Sequence, residues 1–209
     1  MTCAPDRNAL IQALTESGLF DGTWYLQRNG DVAAAGLNPL QHFIHHGSAE
    51  GCWPNRYFDP DWYQQESPGL EVNPLLHCIL VGGSGNRRPV PYFDPGWYRN
   101  EYAVPAGRTA LGHYLTNRRK QVYSPTPLFD VQRYVSQTGD GLGSNCDPFA
   151  HYLLAGMTRD IDPSGAFDAG GYRHAHLGRP GRGFVTTMRP EEHNPLVHSR
   201  RLPTGRATP

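Results

Sequence analysis

Aromatic and polar positions recur along the chain in a fixed order. A phenylalanine followed by an aspartate begins at residues 20, 58, 93, 129 and 167, so the starts lie 38, 35, 36 and 38 residues apart. A tyrosine follows each phenylalanine five residues later, and a tryptophan precedes that tyrosine in the first three copies. A period of this length is typical of helical-repeat proteins. The pattern therefore predicts a tandem array.

The Phe-Asp pair predicts the start of a first helix in each repeat. An aspartate is a good N-cap, because its carboxylate accepts hydrogen bonds from the free N–H groups of the first helical turn. With aspartate as the cap, the phenylalanine and the tyrosine stand where a hydrophobic staple forms. We therefore expect structural roles for the capping aspartates and stapling tyrosines, which are Asp21, Tyr25, Asp59, Tyr63, Asp94, Tyr98, Asp130 and Tyr134.

A second signature follows each Phe-Asp pair by about twenty residues and predicts a second helix. It consists of a capping residue that is usually followed by proline, and then an apolar residue two places before a histidine. We interpret the histidine as structural, stapled to the residue before the cap (Leu37, Val72 or Cys146) and bonded through one ring nitrogen to a neighbouring turn. The repeated histidines are His42, His77, His113 and His151, with His198 in the partial fifth copy.

The second helix is expected to end at a glycine in three copies. Gly47, Gly82 and Gly156 occupy one equivalent place, where a left-handed C-cap would stop the helix, and Arg118 takes that place in the third copy. Each repeat is thus predicted to be a short helical hairpin.

The predicted fold is all-α, a solenoid-like array of about five short helical-hairpin repeats of 35–38 residues. Residues 1–19 are expected to form a capping helix that covers the first repeat. Residues 20–169 hold four hairpins. Residues 170–209 are interpreted as a degenerate fifth repeat and a basic, mobile tail, since they contain 7 arginines against 2 glutamates.

Composition excludes several classes of protein. The net charge is zero and 38% of residues are hydrophobic, with no apolar run long enough to predict a membrane span. The first twenty residues lack the basic start and apolar core of a signal peptide, so we expect a cytoplasmic location. The four cysteines are widely spaced and form no CxxC pair, so neither a zinc knuckle nor a disulfide framework is indicated. Nucleic-acid binding is not expected, because the aromatic residues it would use are assigned to the staples.

Two further sets of residues have the chemistry of a ligand site. His42 and His46 stand four residues apart on one helix face, the spacing of two ligands of a zinc or nickel ion, but no carboxylate or cysteine completes the set. We interpret them as a surface cluster and expect no metal or cofactor. Cations at the ends of the second helices suit the negative helix terminus and offer an alternative surface for an anionic ligand: Arg87, Arg88, Arg118 and Arg119.

The first repeat resembles a known sequence family. The pattern Phe-Asp-x-x-Trp-Tyr-Leu, followed by Asn-x-Asp-Val-Ala-Ala-Ala-Gly-Leu-Asn-Pro-Leu-x-His-Phe and then by His-Gly and Glu-Gly, runs complete from Phe20 to Gly51. It is similar to a tandem repeat of bacterial proteins that stands beside glycosyltransferase or sulfotransferase domains of surface-polysaccharide systems, and in some large secreted proteins. The likeness covers roughly residues 20–160. It implies a non-catalytic accessory module and transfers no catalytic residue, and the chain shows no glycosyltransferase domain.

The sequence therefore predicts a non-enzymatic scaffold that presents a surface to a protein partner, such as a glycosyltransferase or an assembly of the cell envelope. The alternative is a carbohydrate- or metal-binding module that uses exposed tryptophan, histidine and arginine. Tryptophan exposure is expected to separate the two: Trp24, Trp62 and Trp97 belong to the staples and should be buried, whereas Trp53 lies outside them and should be free.

Overall fold

The structure is a computed structural model that describes residues 7–81, 86–156, 159 and 161–165, apart from the side chains of residues 7–10, 81 and 140. No β-strand occurs in these ranges, which confirms the all-α prediction. The helices are α1 (Arg7–Ser17), α2 (Gly22–Arg28), α3 (Gly30–Ala34), α4 (Pro39–His42), α5 (Pro60–Gln65), α6 (Pro74–Val81), α7 (Pro95–Glu101), α8 (Ala110–Asn117), α9 (Val131–Thr138) and α10 (Pro148–Leu154).

Three short turns extend these helices. A π-helical turn, Phe43–Gly47, continues α4, and 3₁₀ turns follow α8 at Arg118–Lys120 and α9 at Gly139–Leu142. Each described repeat thus has a first helix (α2, α5, α7 or α9) and a second helix (α4, α6, α8 or α10). The first repeat adds α3 between its two helices.

The first turn of most helices is stabilised by the side chain of the N-cap residue. In the four described repeats, the aspartate of the Phe-Asp pair has extended backbone, and its carboxylate accepts a hydrogen bond from the N–H three residues later at 3.0–3.1 Å. Asparagine, threonine or aspartate does the same for the second helices, as Asn38 does for the N–H of Gln41 at 3.1 Å and Thr109 for that of Gly112 at 2.8 Å. Proline at the first helical position of several helices needs no acceptor, which is why it is tolerated there.

A buried proline turn joins each second helix to the next Phe-Asp pair. The proline stands four residues before the phenylalanine, at Pro54, Pro89, Pro125 and Pro163. In three of the turns, the proline carbonyl accepts a hydrogen bond from the capping aspartate at the start of the preceding hairpin. The N–H of Asp21 donates to Pro54 at 3.0 Å, that of Asp59 to Pro89 at 3.0 Å, and that of Asp130 to Pro163 at 2.7 Å. The turn therefore closes each of these hairpins.

The chain forms two compact units, Met1–Asn117 and Arg118–Pro209. In the first unit, α1 packs against α6, the second helix of the second repeat. A Cβ atom on Gly112 of α8 would collide with the carbonyl oxygen of Ser17, so the end of α1 lies directly on α8. The N-terminal helix therefore contacts the second and third repeats, beyond the first repeat that it was expected to cover.

The core is built mainly from tyrosine and phenylalanine. The largest fully buried side chains include Tyr25, Tyr57, Tyr63, Tyr98 and Tyr114 in the first unit, and Tyr134, Tyr152, Phe129 and Phe149 in the second. The tryptophans are only partly buried, so the prediction that the staple tryptophans lie in the core is wrong. The Phe–Tyr pairs that were expected to form the staples are in contact in the four described repeats, with ring centroids 5.2–5.5 Å apart.

Some expectations fall outside the described residues. These are the fifth repeat, the basic tail of residues 170–209, and the glycine at position 82. Among the helices that are described, none is both long and apolar enough to cross a membrane.

Candidate functional site

In each described repeat, the histidine of the second helix forms a hydrogen bond with the tyrosine of the first helix. The tyrosine hydroxyl and the Nδ1 atom of the histidine ring lie within hydrogen-bonding distance in all four described repeats. The pairs are Tyr25–His42 at 2.9 Å, Tyr63–His77 at 3.0 Å, Tyr98–His113 at 2.9 Å and Tyr134–His151 at 2.7 Å. The bond ties the two helices of each hairpin together.

This partner differs from the one expected for the histidines. Leu37 and Val72, the residues before the second-helix caps, are 51% and 47% exposed, and the ring nitrogen facing inward is held by a first helix. A buried hydroxyl needs a partner, because an unsatisfied polar group costs about 1–3 kcal/mol. The histidine supplies that partner in each repeat.

The hydroxyls sit in apolar surroundings that suppress their ionisation. Burial raises the pKa of Tyr25, Tyr63 and Tyr134 well above the ordinary value. Tyr63 also forms a side-chain hydrogen bond with Cys78, whose own thiol pKa is raised by burial to about 12. Cys78 is therefore a protonated core residue at neutral pH, without the thiolate that nucleophilic chemistry requires.

The glycines at the ends of the second helices make room for these tyrosines. A Cβ atom at Gly47 would collide with the hydroxyl of Tyr25, and one at Gly156 would collide with that of Tyr134. Neither glycine has the positive φ of a left-handed cap, so that expectation is wrong for both. Their place is fixed by close packing against the Tyr–His bond.

The equivalent position in the third repeat, Arg118, has another role. Its side chain is only 14% exposed, and its Nε atom lies 3.1 Å from a carboxylate oxygen of Asp147, the cap of α10. This arginine helps to fix the start of the next second helix.

Two of the four arginines predicted to form an anion-binding surface are held in ion pairs, and the other two are exposed. Arg88 forms an ion pair with Asp94 at 2.8 Å, as Arg118 does with Asp147, so both are held by capping aspartates. Arg87 and Arg119 are exposed, and the guanidinium of Arg87 lies 3.5 Å from Nε2 of His77. The structure therefore gives structural partners to half of the predicted anion-binding residues.

Two histidine rings have a lowered pKa. Burial and, secondarily, the charge of Arg87 lower the pKa of His77, and burial and Arg159 do the same for His151. Both effects disfavour the imidazolium form, so these rings remain neutral further into acid than a free histidine.

Three histidines cluster at the end of the first repeat's second helix. The rings of His42 and His46 are 5.6 Å apart between centroids, and those of His45 and His46 are 6.2 Å apart. His45 and His46 are exposed, and Nε2 of His45 faces the side-chain oxygen of Gln41 at 3.3 Å. Within the part of the chain that the structure describes, no group of three or more histidine, cysteine or carboxylate side chains is placed to hold a metal ion.

The exposure of the four tryptophans does not identify a sugar-stacking surface. Trp53 is partly exposed, and so are the three staple tryptophans. Two of the latter have aromatic or cationic neighbours: the Arg56 guanidinium lies 6.0 Å from the Trp24 ring, and Trp97 makes an edge contact with Tyr102. Exposure therefore does not separate Trp53 from the others.

Sequence reasoning missed two features of the repeat. The Tyr–His bond joins residues 14 to 17 positions apart, a spacing with no local pattern to indicate it. The proline turn does have a signal, since a proline stands four residues before each of the last four phenylalanines of the Phe-Asp pairs.

Comparison with protein-family models, with curated proteins and with solved structures found no match for this chain.

Proposed function

We propose that this protein is a non-catalytic helical-repeat module that binds another protein. The observation that carries the proposal is the Tyr–His bond, formed at 2.7–3.0 Å in all four described repeats. The residues that recur are engaged inside the hairpins as caps, staples and helix-to-helix bonds. A repeat in which the shared residues build the frame leaves the variable outward positions for recognition, as repeat proteins commonly do.

The outward positions of the second helices support this assignment. The residue three places after the repeated histidine is exposed in every described copy, and it is apolar in two of them: Leu80 is 71% exposed and Leu154 is 62% exposed. A single exposed leucine is ordinary on a protein surface. Recurrence at one repeat position is the stronger argument, because large apolar side chains in water favour association.

The partner class comes from the sequence resemblance. We propose a glycosyltransferase, or an assembly of cell-envelope polysaccharide synthesis, for which this chain is an accessory subunit. The alternative of carbohydrate recognition would use the partly exposed tryptophans, with Trp53 as the first candidate.

Binding to a purified partner enzyme tests the proposal. The purified chain is titrated against a glycosyltransferase from the polysaccharide locus of the source organism, with Leu80→Glu as the test variant and Gln65→Glu as the control. Gln65 is exposed on α5, so its substitution matches the change in charge. We expect Leu80→Glu to weaken binding at least about tenfold, since a buried charge at an interface is costly, and Gln65→Glu to leave it unchanged.

Two results would overturn the proposal. One is the absence of binding to any enzyme of that locus. The other is a change of tryptophan fluorescence with envelope glycans that disappears in Trp53→Ala, because carbohydrate recognition would then be the function.

A further inference from the structure

The histidine cluster of the first repeat contains a ring that is held in a defined orientation. Nδ1 of His42 lies 2.9 Å from the Tyr25 hydroxyl, so the opposite edge of the ring, which carries Nε2, faces away from the core. In the second repeat the same ring atom faces the guanidinium of Arg87 at 3.5 Å. No such cation is placed against His42 in the part of the chain that is described.

The hydrogen bond to Tyr25 decides which nitrogen of His42 is available to a ligand. Nδ1 is engaged with the Tyr25 hydroxyl at 2.9 Å, which leaves Nε2 as the ring nitrogen that can bind a metal. Metal-binding histidines are commonly oriented by a hydrogen bond of this kind at the other nitrogen.

His46 supplies a second ring at a suitable distance. In a site with Zn–N bonds of about 2.0–2.1 Å, each ring centre lies about 3.2 Å from the metal, so two ring centres are about 5.2 Å apart at a tetrahedral angle and at most about 6.4 Å apart. The His42 and His46 centroids are 5.6 Å apart, near the tetrahedral value. The 6.2 Å between His45 and His46 would place the two nitrogens almost opposite each other across the metal, and Nε2 of His45 faces Gln41. The pair, rather than the triplet, has the geometry of a site.

We propose that the first repeat binds one divalent ion of the copper, nickel or zinc type through Nε2 of His42 and the ring of His46, with water in the remaining positions. Imidazole suits these borderline ions better than magnesium or calcium. Leu80 and Val81 stand at the positions of His45 and His46 in the second repeat, Thr116 and Asn117 in the third, and Leu154 and Ala155 in the fourth. The site therefore belongs to the first repeat among those described.

Nickel titration of the whole chain tests the proposal. Calorimetry with NiCl₂ at pH 7.5 is run on the unmodified protein, on His46→Leu and on the control His45→Leu, which changes the neighbouring exposed histidine in the same way. Loss of one of two linked ligands weakens binding at least about tenfold. We expect His46→Leu to remove one equivalent of binding and His45→Leu to bind as the unmodified chain does.

A second measurement identifies the ligands directly. Substoichiometric Cu²⁺ is expected to broaden the ring resonances of His42 and His46 before those of His77, which has the same tyrosine bond but no second histidine. The proposal is overturned if His46→Leu binds nickel like the unmodified chain, if His45→Leu loses the same equivalent, or if the His77 resonances broaden together with those of His42.

Discussion

The first and second repeats have the same interior and different exteriors. Tyr25 and Tyr63 bond to His42 and His77 at 2.9 and 3.0 Å, and a proline turn closes both hairpins. The exposed positions of His45 and His46 in the first repeat correspond in sequence to Leu80 and Val81 in the second, and Leu80 is 71% exposed. The comparison shows that a hairpin of this kind separates the residues that build it from the residues available for binding.

Truncation of the repeated tyrosine should have the largest effect on stability, and the same effect in both repeats. Tyr63 is 1% exposed, and loss of a large buried aromatic side chain costs about 3–5 kcal/mol. We expect Tyr63→Ala to lower the free energy of unfolding by this amount in a urea titration, and Tyr25→Ala to do the same. Tyr63→Phe keeps the ring and is expected to lose about 1–2 kcal/mol, the contribution of the hydrogen bond to His77. Equal losses for the alanine and phenylalanine variants would contradict the account.

Replacement of the glycine at the end of a second helix by alanine should have the next largest effect on stability. In Gly47→Ala, the added Cβ meets the Tyr25 hydroxyl, and overpacking of this kind costs about 1–3 kcal/mol. The matched control is Gly30→Ala in α3, where nothing lies within 4 Å of the added atom. We expect the control to be neutral or stabilising in thermal unfolding. A destabilised control and an unaffected Gly47→Ala variant would show that Tyr25 is not the reason for the glycine.

Removal of a helix cap should have a smaller effect. Asp59→Ala loses the hydrogen bonds to the N–H groups of Asp61 and Trp62, worth about 1 kcal/mol. Asp94→Ala loses the bond to the N–H of Trp97 and also the ion pair with Arg88 at 2.8 Å, so we expect a larger loss than in Asp94→Asn, which keeps a capping oxygen. Chemical denaturation of the two Asp94 variants separates the contributions of the cap and the ion pair. An Asp94→Asn variant as stable as the unmodified chain would remove the role given to Arg88.

The titration of His77 should show the smallest effect. Its pKa is lowered from 6.5 by burial and by Arg87. The unfolded chain therefore takes up the proton at higher pH than the folded one, so stability is present above about pH 6.5 and decreases as pH falls through the folded pKa. NMR titration should find His77 below 6.5, and Arg87→Ala should move its pKa upward. An unchanged pKa in that variant would exclude the charge as a cause.

Local patterns in the sequence indicated the starts of the helices but not their contacts. Asp59 followed by Pro60 predicts a capped helix, because cap and first turn are neighbours in the chain. The partner of His42 is 17 residues away, and nothing local distinguishes Tyr25 from another aromatic residue. The wrong explanation for Gly47 has the same origin, since a left-handed cap and a close approach both require glycine.

The candidate sites show the same limit. The four-residue spacing of His42 and His46 was visible in the sequence, but the orientation of the His42 ring depends on its bond to Tyr25, 17 residues away. Likewise, Arg88 and Arg118 have the composition of an anion-binding surface. Their carboxylate partners, Asp94 and Asp147, lie 6 and 29 residues away, and only the fold shows that the pairs form.

The most direct test of the central claim is a double-mutant cycle on the Tyr–His bond in both repeats. The free energy of unfolding is measured for Tyr63→Phe, His77→Leu and the double variant, and for the corresponding changes at Tyr25 and His42. Residues joined by a hydrogen bond give coupling energies of about 0.5–3 kcal/mol, whereas independent residues are additive within about 0.5 kcal/mol. We predict a coupling of about 1 kcal/mol in each repeat. Additive effects in both cycles would contradict the claim that the repeated tyrosine and histidine form the frame of the hairpin.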